Sequence, residues 1–210
     1  TSTPGGSVFV ARVETGESTP RGVCRGGKNF LGIEDNAWEN ADNWNNAILP
    51  SSGDDVCIEG FNVVIGGGLQ NAGTLRVEGG SLTIGNAKLT VGGASEITGS
   101  LAINGGTLTG AGNVLISGPF TWTGGTIAGS GITTTTGSLA LSGPAAKGVF
   151  AHRWDANSNV TWTEGQFSVA SGTIVNNTAT WDCQSDAAIV WTVGPAPAFN
   201  NSGTFKKSAG

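Results

Sequence analysis

The sequence of 210 residues contains no methionine, a single histidine and few charged side chains. Only 12% of its residues are charged, and the stretch from residue 97 to residue 146 carries no charge at all. A net charge of −5 disfavours nucleic acid or an anionic membrane as a partner. No apolar run approaches the ~20 residues that a membrane-spanning helix needs. Because no methionine is present to start translation, we expect a processed mature protein or a fragment without its signal peptide.

Residues that usually carry catalysis or bind metals are also scarce. The sequence contains no HExxH or CxxC spacing, and no serine lies in the context of a hydrolytic triad. Nine of the fifteen acidic residues precede residue 60, whereas general acid–base catalysis needs two titratable groups close together. We therefore expect a protein that is not an enzyme and that uses no cofactor and no metal.

What the sequence does contain is a repeat of 19 residues between Val63 and Gly143. Apolar residues recur in pairs two positions apart, which is the pattern of a strand whose alternate side chains share one face. A glycine follows each pair almost at once. The pairs are Val63/Ile65, Leu82/Ile84, Leu101/Ile103, Phe120/Trp122 and Leu139/Leu141.

Two further apolar columns lie between these pairs. One contains Leu69, Leu89/Val91, Leu108 and Ile127, and the other contains Leu75/Val77, Ile97, Val114/Ile116 and Ile132. Three short strands separated by glycine turns predict one triangular coil of a parallel β-solenoid. A β-sandwich is the alternative, but its strands usually recur at a spacing of about 8–12 residues.

The predicted fold class is therefore all-β: a right-handed parallel β-helix with three sides and about 19 residues per coil. Seven or eight coils at ~4.8 Å each would make a rod roughly 35–40 Å long. Residues 61–210 are assigned to the coils and residues 23–60 to an N-terminal cap that leads into the first coil. Residues 1–22 contain one alternating strand, Ser7 to Val13, which either pairs with the cap of its own chain or completes an open edge of a neighbour.

The three cysteines allow three disulfide pairings. Cys24 and Cys57 both flank the predicted cap, so a disulfide between them is the preferred pairing. Cys183 would then be either buried and inert, which we favour, or a link between chains.

The stretch from residue 36 to residue 60 resembles the opening of many bacterial extracellular β-helical proteins. In that family, a stretch with two tryptophans and an asparagine is followed by a proline and an acidic turn into the first coil strand. The matching residues are Trp38, Asn43, Trp44, Pro50, Asp54, Asp55, Val56 and Ile58. The resemblance implies a secreted or surface-exposed solenoid of adhesin or fibre type. Trp38 and Trp44 are expected to pack over the first coil, because an open strand edge promotes aggregation.

A second motif, Asn-x-[Gly/Ala]-Thr-apolar, occurs at residues 71–75, 177–181 and 201–205. Asparagine accepts a left-handed corner and threonine starts a strand, so the motif is typical of a turn that leads into a strand. It resembles the repeats of large bacterial adhesins and secreted β-helix proteins.

Two other classes of solenoid are less favoured. Pectin-degrading enzymes share the parallel β-helix, and residues 53–55 are similar to one element of the polygalacturonases, but the three other elements that those enzymes need are absent. The threonines at positions 121, 123, 126 and 133–136 resemble those of ice-binding solenoids, but their rows are not kept in register. Strand propensity alone also explains such threonines.

One cluster beyond the cap brings acid, base and aromatic side chains together: His152, Arg153, Trp154 and Asp155. It is either a sugar-binding ledge, in which Trp154 stacks on a sugar while Arg153 and Asp155 form hydrogen bonds, or a looped-out turn with solvated charges. Further candidates for stacking are Trp162 and Trp191. N-glycosylation sequons begin at Asn159, Asn176 and Asn200.

These features lead to the hypothesis of a secreted structural protein, a subunit of an extracellular fibre or surface adhesin. The chain's last residues have the pattern of another coil rather than of a cap, so the partner is expected to be a second copy in a head-to-tail contact. The expected interface comprises Val8, Phe9, Val10, Val13, Phe199 and Phe205. A carbohydrate-binding adhesin domain is the alternative, with glycans as partners.

Overall fold

The structure is a computed structural model that describes residues 27–210, which form a parallel β-solenoid of about eight windings. The pairings Leu82–Leu101 and Leu101–Phe120 join successive windings in parallel register. The predicted solenoid is therefore confirmed, and the β-sandwich alternative is wrong. Five residues with predicted roles lie outside the described residues: Val8, Phe9, Val10, Val13 and Cys24. Their predicted parts in the assembly interface and in the disulfide stay predictions.

The windings have three flat sides, here named face 1, face 2 and face 3 in the order in which the chain runs through them. Face 1 is a nine-stranded sheet. It contains Lys28–Asn29, Asp55–Glu59, Thr74–Glu78, Ser95–Ile97, Val114–Ile116, Ile132–Thr135, Arg153–Ala156, Ile174–Asn177 and Ala198–Asn201.

Faces 2 and 3 form one 13-stranded sheet, because the strands Ser100–Gly110 and Phe120–Ala128 run around the corner between them. The other strands of face 2 are Asn62–Ile65, Ser81–Ile84, Leu139–Leu141, Val160–Trp162, Thr180–Cys183 and Thr204–Lys207. The other strands of face 3 are Leu69–Ala72, Lys88–Val91, Lys147–Phe150, Phe167–Ala170 and Ile189–Trp191.

The inward side chains of successive windings stack into ladders that form the core. On face 2 the register joins Val63, Leu82, Leu101, Phe120, Leu139, Val160, Trp181 and Phe205. All of these side chains except Phe205 are at most 2% exposed. Burying each such side chain contributes about 1.5–3 kcal/mol, so the ladders are the main source of stability. The five predicted pairs all lie on this face and are buried.

Two predicted core positions point outward instead. Leu69 is 76% exposed, because Gln70 and Ala72 are the inward residues of its strand. Ile132 is only half-buried, and Thr133 and Thr135 face the core. Side chains alternate between the two faces of a strand. An error of one residue in the predicted pattern therefore assigns a side chain to the wrong face.

Glycines line the corner between face 1 and face 2. Gly80, Gly99, Gly118 and Gly137 stack on one another at this corner, and a Cβ added at any of the last three would overlap the carbonyl oxygen of the glycine one winding before. The backbones approach each other there more closely than any side chain permits. This close approach explains the glycine that precedes the apolar pairs with the same period, whereas the glycines that follow the pairs lie at the corner after face 2.

The cap closes the N-terminal end of faces 1 and 2. Trp38 and Trp44 are 0% and 1% exposed, with ring centroids 4.8 Å apart, and the Trp44 indole donates to the Trp38 carbonyl at 2.8 Å. The Trp38 amide also donates to the Val64 carbonyl of the first winding at 2.9 Å. The predicted packing of both tryptophans over this end is therefore confirmed. Two short 3-10 helices, Ala41–Asn43 and Asn45–Ala47, complete the cap.

Buried Asn43 holds the loops of the cap together. It is 0% exposed, and its side-chain oxygen accepts from the backbone amides of Glu34 and Asp35 at 3.0 and 3.1 Å. Its amide nitrogen donates to the Asp35 carboxylate at 2.5 Å and to the Ala37 carbonyl at 2.9 Å. These hydrogen bonds satisfy the polar group in a place where water has no access.

Candidate functional site

A shallow trough runs along the outside of face 1, parallel to the rod axis. Its floor is one column of outward side chains in parallel register, Leu115, Thr134, Asp155, Asn176 and Asn200. Because strands in a sheet lie ~4.8 Å apart, this column spans roughly 19 Å over its four steps. We call it the face 1 trough.

Side chains of the trough are held in place by hydrogen bonds from winding to winding. The Asn176 amide donates to the Asp155 carboxylate at 2.6 Å, and the Asn200 amide donates to the Asn176 oxygen at 2.8 Å. Arg153 Nε also donates to Asp155, at 2.9 Å. Partial burial raises the pKa of Asp155, but the hydrogen bonds from Arg153 and Asn176 outweigh it and hold the pKa below its ordinary value. The carboxylate is therefore charged and fixed at neutral pH.

Two adjoining hollows make up the trough, and Asp155 belongs to both. The hollow towards the C-terminal end has a volume of about 730 Å³, and the other has about 370 Å³. The larger hollow is lined by Arg153, Asp155, Asn157, Asn176, Thr178, Phe199, Asn200, Asn201 and Ser202. The smaller is lined by Ala94, Ser95, Asn113, Val114, Leu115, Ile132, Thr134 and Asp155.

The structure separates the residues of the predicted sugar-binding ledge. Arg153 and Asp155 lie in the trough, but Trp154 points into the core and is 0% exposed, so stacking of a sugar on Trp154 is wrong. The looped-out turn is also wrong, because Arg153–Ala156 is a regular strand of face 1. Trp162 is buried as well, at 1% exposure, whereas Trp191 is 57% exposed.

The three sequons occupy different environments. Asn159 is exposed at the corner after face 1, and its side-chain oxygen accepts from the Thr180 amide at 3.2 Å. Asn176 and Asn200 are instead part of the hydrogen-bonded column of the trough. A glycan on either of these two would replace one of its two amide hydrogens and place a bulky group in the trough.

A second candidate site is the C-terminal end of the rod, where the core is uncovered. Three inward ladders end there with Phe199 on face 1, Phe205 on face 2 and Trp191 on face 3. Phe205 is 44% exposed and Trp191 57%, although Trp181 and Val169, one winding earlier in the same ladders, are buried; the adjacent Val193 is 66% exposed. The predicted interface residues Phe199 and Phe205 are therefore core residues of the last winding.

Sequence reasoning missed the pairing of the two asparagine doublets. Asn176 and Asn200 face outward, whereas Asn177 and Asn201 stack at the corner, with the Asn177 amide donating to the Asn201 oxygen at 2.6 Å. The repeated Asn-Asn doublet was the feature of the sequence that could have indicated this pairing. The similar motif at residues 71–75 is not equivalent, because it lies at the corner from face 3 to face 1.

Cys183 is a free thiol at 5% exposure, so the favoured prediction that it is buried is confirmed. Of the predicted threonine rows, Thr133 and Thr135 face inward and are buried. Thr121 faces outward in a column with Ala102 and Ala140, so a continuous threonine row is not formed there.

Within residues 27–210, no group of three or more His, Cys, Asp or Glu side chains is placed to hold a metal ion. No helix in the described part of the chain is long and apolar enough to span a membrane.

Comparison of the chain with protein-family models, with curated proteins and with solved structures finds no match. Function is therefore argued from the geometry of this chain alone.

Proposed function

We propose that the protein is a non-enzymatic structural subunit of an extracellular fibre or surface adhesin, which assembles head-to-tail through the C-terminal end of its solenoid. The observation that carries the proposal is the uncovered core at that end. Phe205 and Trp191 expose apolar surface, whereas their ladders bury Trp181 and Val169 one winding earlier, and Val193 beside them is exposed as well. An exposed apolar patch with unpaired strand edges is a surface that gains stability when another chain covers it.

The two ends of the rod are unlike. The N-terminal end carries the cap, in which Phe30, Trp38 and Trp44 are at most 4% exposed. The C-terminal end leaves the outer edges of Ile189–Trp191, Ala198–Asn201 and Thr204–Lys207 without a further strand among the described residues. A contact between unlike surfaces repeats from copy to copy, and it produces a filament when the rotation between copies does not close into a ring, as we expect for rods stacked end to end.

The proposed occupant of the open end is the strand from Ser7 to Val13 of a second copy. Its alternating sequence SVFVARV suits addition to a sheet edge, where main-chain hydrogen bonds supply affinity and apolar side chains fill the core. The 26 residues before Gly27 span at most ~85–95 Å when extended. Gly27, which follows them, lies in the cap, where its carbonyl accepts from Asn45 at 3.0 Å, so in a head-to-tail stack the segment begins next to the neighbour's open end.

Secretion belongs to the same proposal. A rod with so few charges, three sequons and the predicted disulfide between Cys24 and Cys57 suits secretion into an oxidising extracellular compartment. Lys206 and Asp182 form an ion pair at 3.3 Å on the last two windings, and Lys207 pairs with Asp186. Both lysines are half-exposed or nearly so and would flank the covered core as part of a polar rim.

Electron microscopy and light scattering test the proposal. We expect the full chain to form rods whose length grows with concentration. Deletion of residues 1–15, and separately Phe205→Lys, should each leave monomers, because one removes the donated strand and the other places a charge in the covered core. Leu115→Lys is the matched control, since Leu115 is 37% exposed but points outward from the side of a central winding; it should assemble normally.

The outcomes separate the parts of the proposal. Filaments from the deletion variant would refute strand donation, and monomers of the full chain at every concentration would refute assembly altogether. Assembly that survives Phe205→Lys but not Leu115→Lys would place the contact on the side of the rod rather than at its ends.

A further inference from the structure

We propose that the face 1 trough is a binding site for a neutral, linear polysaccharide. This inference concerns the side of the rod and is independent of assembly at its end. It uses a set of polar side chains that neither the core nor the cap requires.

The shape of the trough suits an extended chain. Its column from Leu115 to Asn200 follows the rod axis, and the two hollows along it have volumes of about 370 and 730 Å³. Binding sites for small organic ligands usually occupy about 300–1,000 Å³. Asp155 lines both hollows, so one extended chain that passes over Asp155 can contact both with successive sugar units.

The chemistry of the lining suits a ligand with many hydroxyl groups. Asn157, Asn176 and Asn200 each present an amide, which both donates and accepts hydrogen bonds, and Thr178 and Ser202 add hydroxyls. Leu115 and Ile174 on the same face are 37% and 39% exposed, and they offer apolar surface to the C–H faces of a sugar ring. A polar network beside apolar patches is the usual composition of a ligand site.

The polar side chains are already ordered before any ligand binds. Asp155 accepts a hydrogen bond from Asn176 at 2.6 Å, and Asn176 accepts one from Asn200 at 2.8 Å. The backbone beneath these side chains is a regular parallel sheet. Binding therefore does not have to restrict these rotamers, a cost of ~0.5–1.5 kcal/mol for each freely rotating side chain.

Charge selects the class of polysaccharide. Arg153 and Asp155 are the only charged residues in the lining of the two hollows, and they pair with each other at 2.9 Å. The trough consequently carries no net charge. An acidic polymer would meet the Asp155 carboxylate without a free cation, so a neutral polymer is the better fit.

A peptide is a poorer fit than a polysaccharide. The strands Ile132–Thr135, Arg153–Ala156 and Ile174–Asn177 are each paired on both sides, so their backbone groups are used within the sheet. A peptide lying in the trough would find no strand edge to extend, and it would have to leave main-chain groups unpaired or solvated.

Affinity electrophoresis of the full chain tests this site, with galactomannan, xyloglucan and dextran as neutral probes and polygalacturonate as the acidic one. We expect at least one neutral polymer to retard the protein. In Asn176→Ala the dissociation constant should rise at least about tenfold, because Asn176 is hydrogen-bonded to both Asp155 and Asn200, and in Asn200→Ala it should rise by a smaller factor. Assembly should be unchanged in both variants.

Asn62→Ala is the matched control. Asn62 is also an exposed, outward asparagine in contact with the next winding, where it accepts from Ser81 at 2.9 Å, but it lies on face 2; its substitution should leave binding unchanged. Thermal unfolding identifies any variant that has lost its fold, and Asn200→Ala, at the exposed end, decides the result if Asn176→Ala fails to fold. The proposal is overturned by no retardation with any neutral polymer, by a preference for polygalacturonate or for an extended peptide, or by undiminished binding in both variants.

Discussion

At the scale of single residues, several buried polar side chains stabilise the solenoid through bonds to its backbone. Lys147 is 0% exposed, and its ammonium donates to the carbonyl oxygens of Gly143 and Glu164 at 2.5 and 2.8 Å. Burial lowers the pKa of Lys147, although the charge of Glu164 partly opposes this shift. The group takes the place of water as a donor to both carbonyls at this corner, and the Trp162 indole also donates to the Glu164 carbonyl at 3.1 Å.

His152 occupies a similar position on the inside of face 1. Its Nδ1 lies 2.9 Å from the Gly129 carbonyl oxygen, and its Nε2 lies 3.1 Å from the Thr133 backbone nitrogen. With the proton on Nδ1, the ring donates to Gly129 and accepts from Thr133. Burial lowers the pKa of His152 below its ordinary value of 6.5, and the hydrogen bond to Gly129 opposes this only in part. The neutral ring is thus the form that fits the fold.

Lowering the pH below that of an ordinary histidine is expected to destabilise the protein through His152. The unfolded histidine binds a proton near pH 6.5 and the folded one only at lower pH, so the stabilisation is complete above about 6.5 and is lost as pH falls through the folded pKa. Urea unfolding between about pH 7.5 and about pH 5.5 measures this slope. His152→Gln should flatten it; a slope that is unchanged in the variant would assign it to other groups.

At the scale of elements, the corners limit the sequence more strictly than the strands do. Gly118 follows a face 1 strand and lies directly over Gly99 of the winding before, with which an added Cβ would overlap. Gly67, at another corner, has no atom within 4 Å of the position of an added Cβ. Both residues are glycines in turns, so the difference between them is set by packing between windings.

Gly118→Ala is expected to destabilise the protein by about 1–3 kcal/mol or more, because a methyl group has no space between the two backbones. Gly67→Ala, the matched control, should change the unfolding free energy by less than about 0.5 kcal/mol or raise it slightly by restricting the unfolded chain. Chemical denaturation of the two variants beside the parent checks this. Equal changes in the unfolding free energy of the two variants would mean that the backbone at the Gly118 corner shifts enough to accommodate a methyl group.

At the scale of the whole molecule, stability is expected to vary along the rod, since each winding contacts only its neighbours. Central windings are covered on both sides, whereas Thr204–Lys207 is covered on one side only, and all four of its residues are exposed. Because the last winding is covered on one side only, we expect it to have the lowest local stability within residues 27–210. It is also the proposed contact surface.

Hydrogen exchange should therefore be fastest in the amides of residues 198–207 and slowest in the windings between residues 82 and 181. Mass spectrometry of proteolytic fragments at low protein concentration measures this gradient. At concentrations where rods form, exchange in residues 198–207 should slow, because a neighbour then covers the last winding. Uniform protection along the dilute chain would contradict the open end.

Some of this protein could be derived from its sequence. The 19-residue repeat of apolar pairs determined the parallel solenoid, its three faces and the buried ladder from Val63 to Leu141, because strand periodicity and winding length are local properties. The two tryptophans of the cap were also assigned correctly, since the end of a solenoid needs an apolar cover.

Only the tertiary structure decided which residues meet across windings. From Leu139 onward the windings lengthen to 21 and then 24 residues, so a fixed period no longer places side chains in register. That is why Trp154 was taken for a surface residue, and why the column of Asp155, Asn176 and Asn200 was not foreseen. A change of one residue in spacing reverses inside and outside on a strand, and this phase is set by the winding beneath, which the sequence alone does not specify.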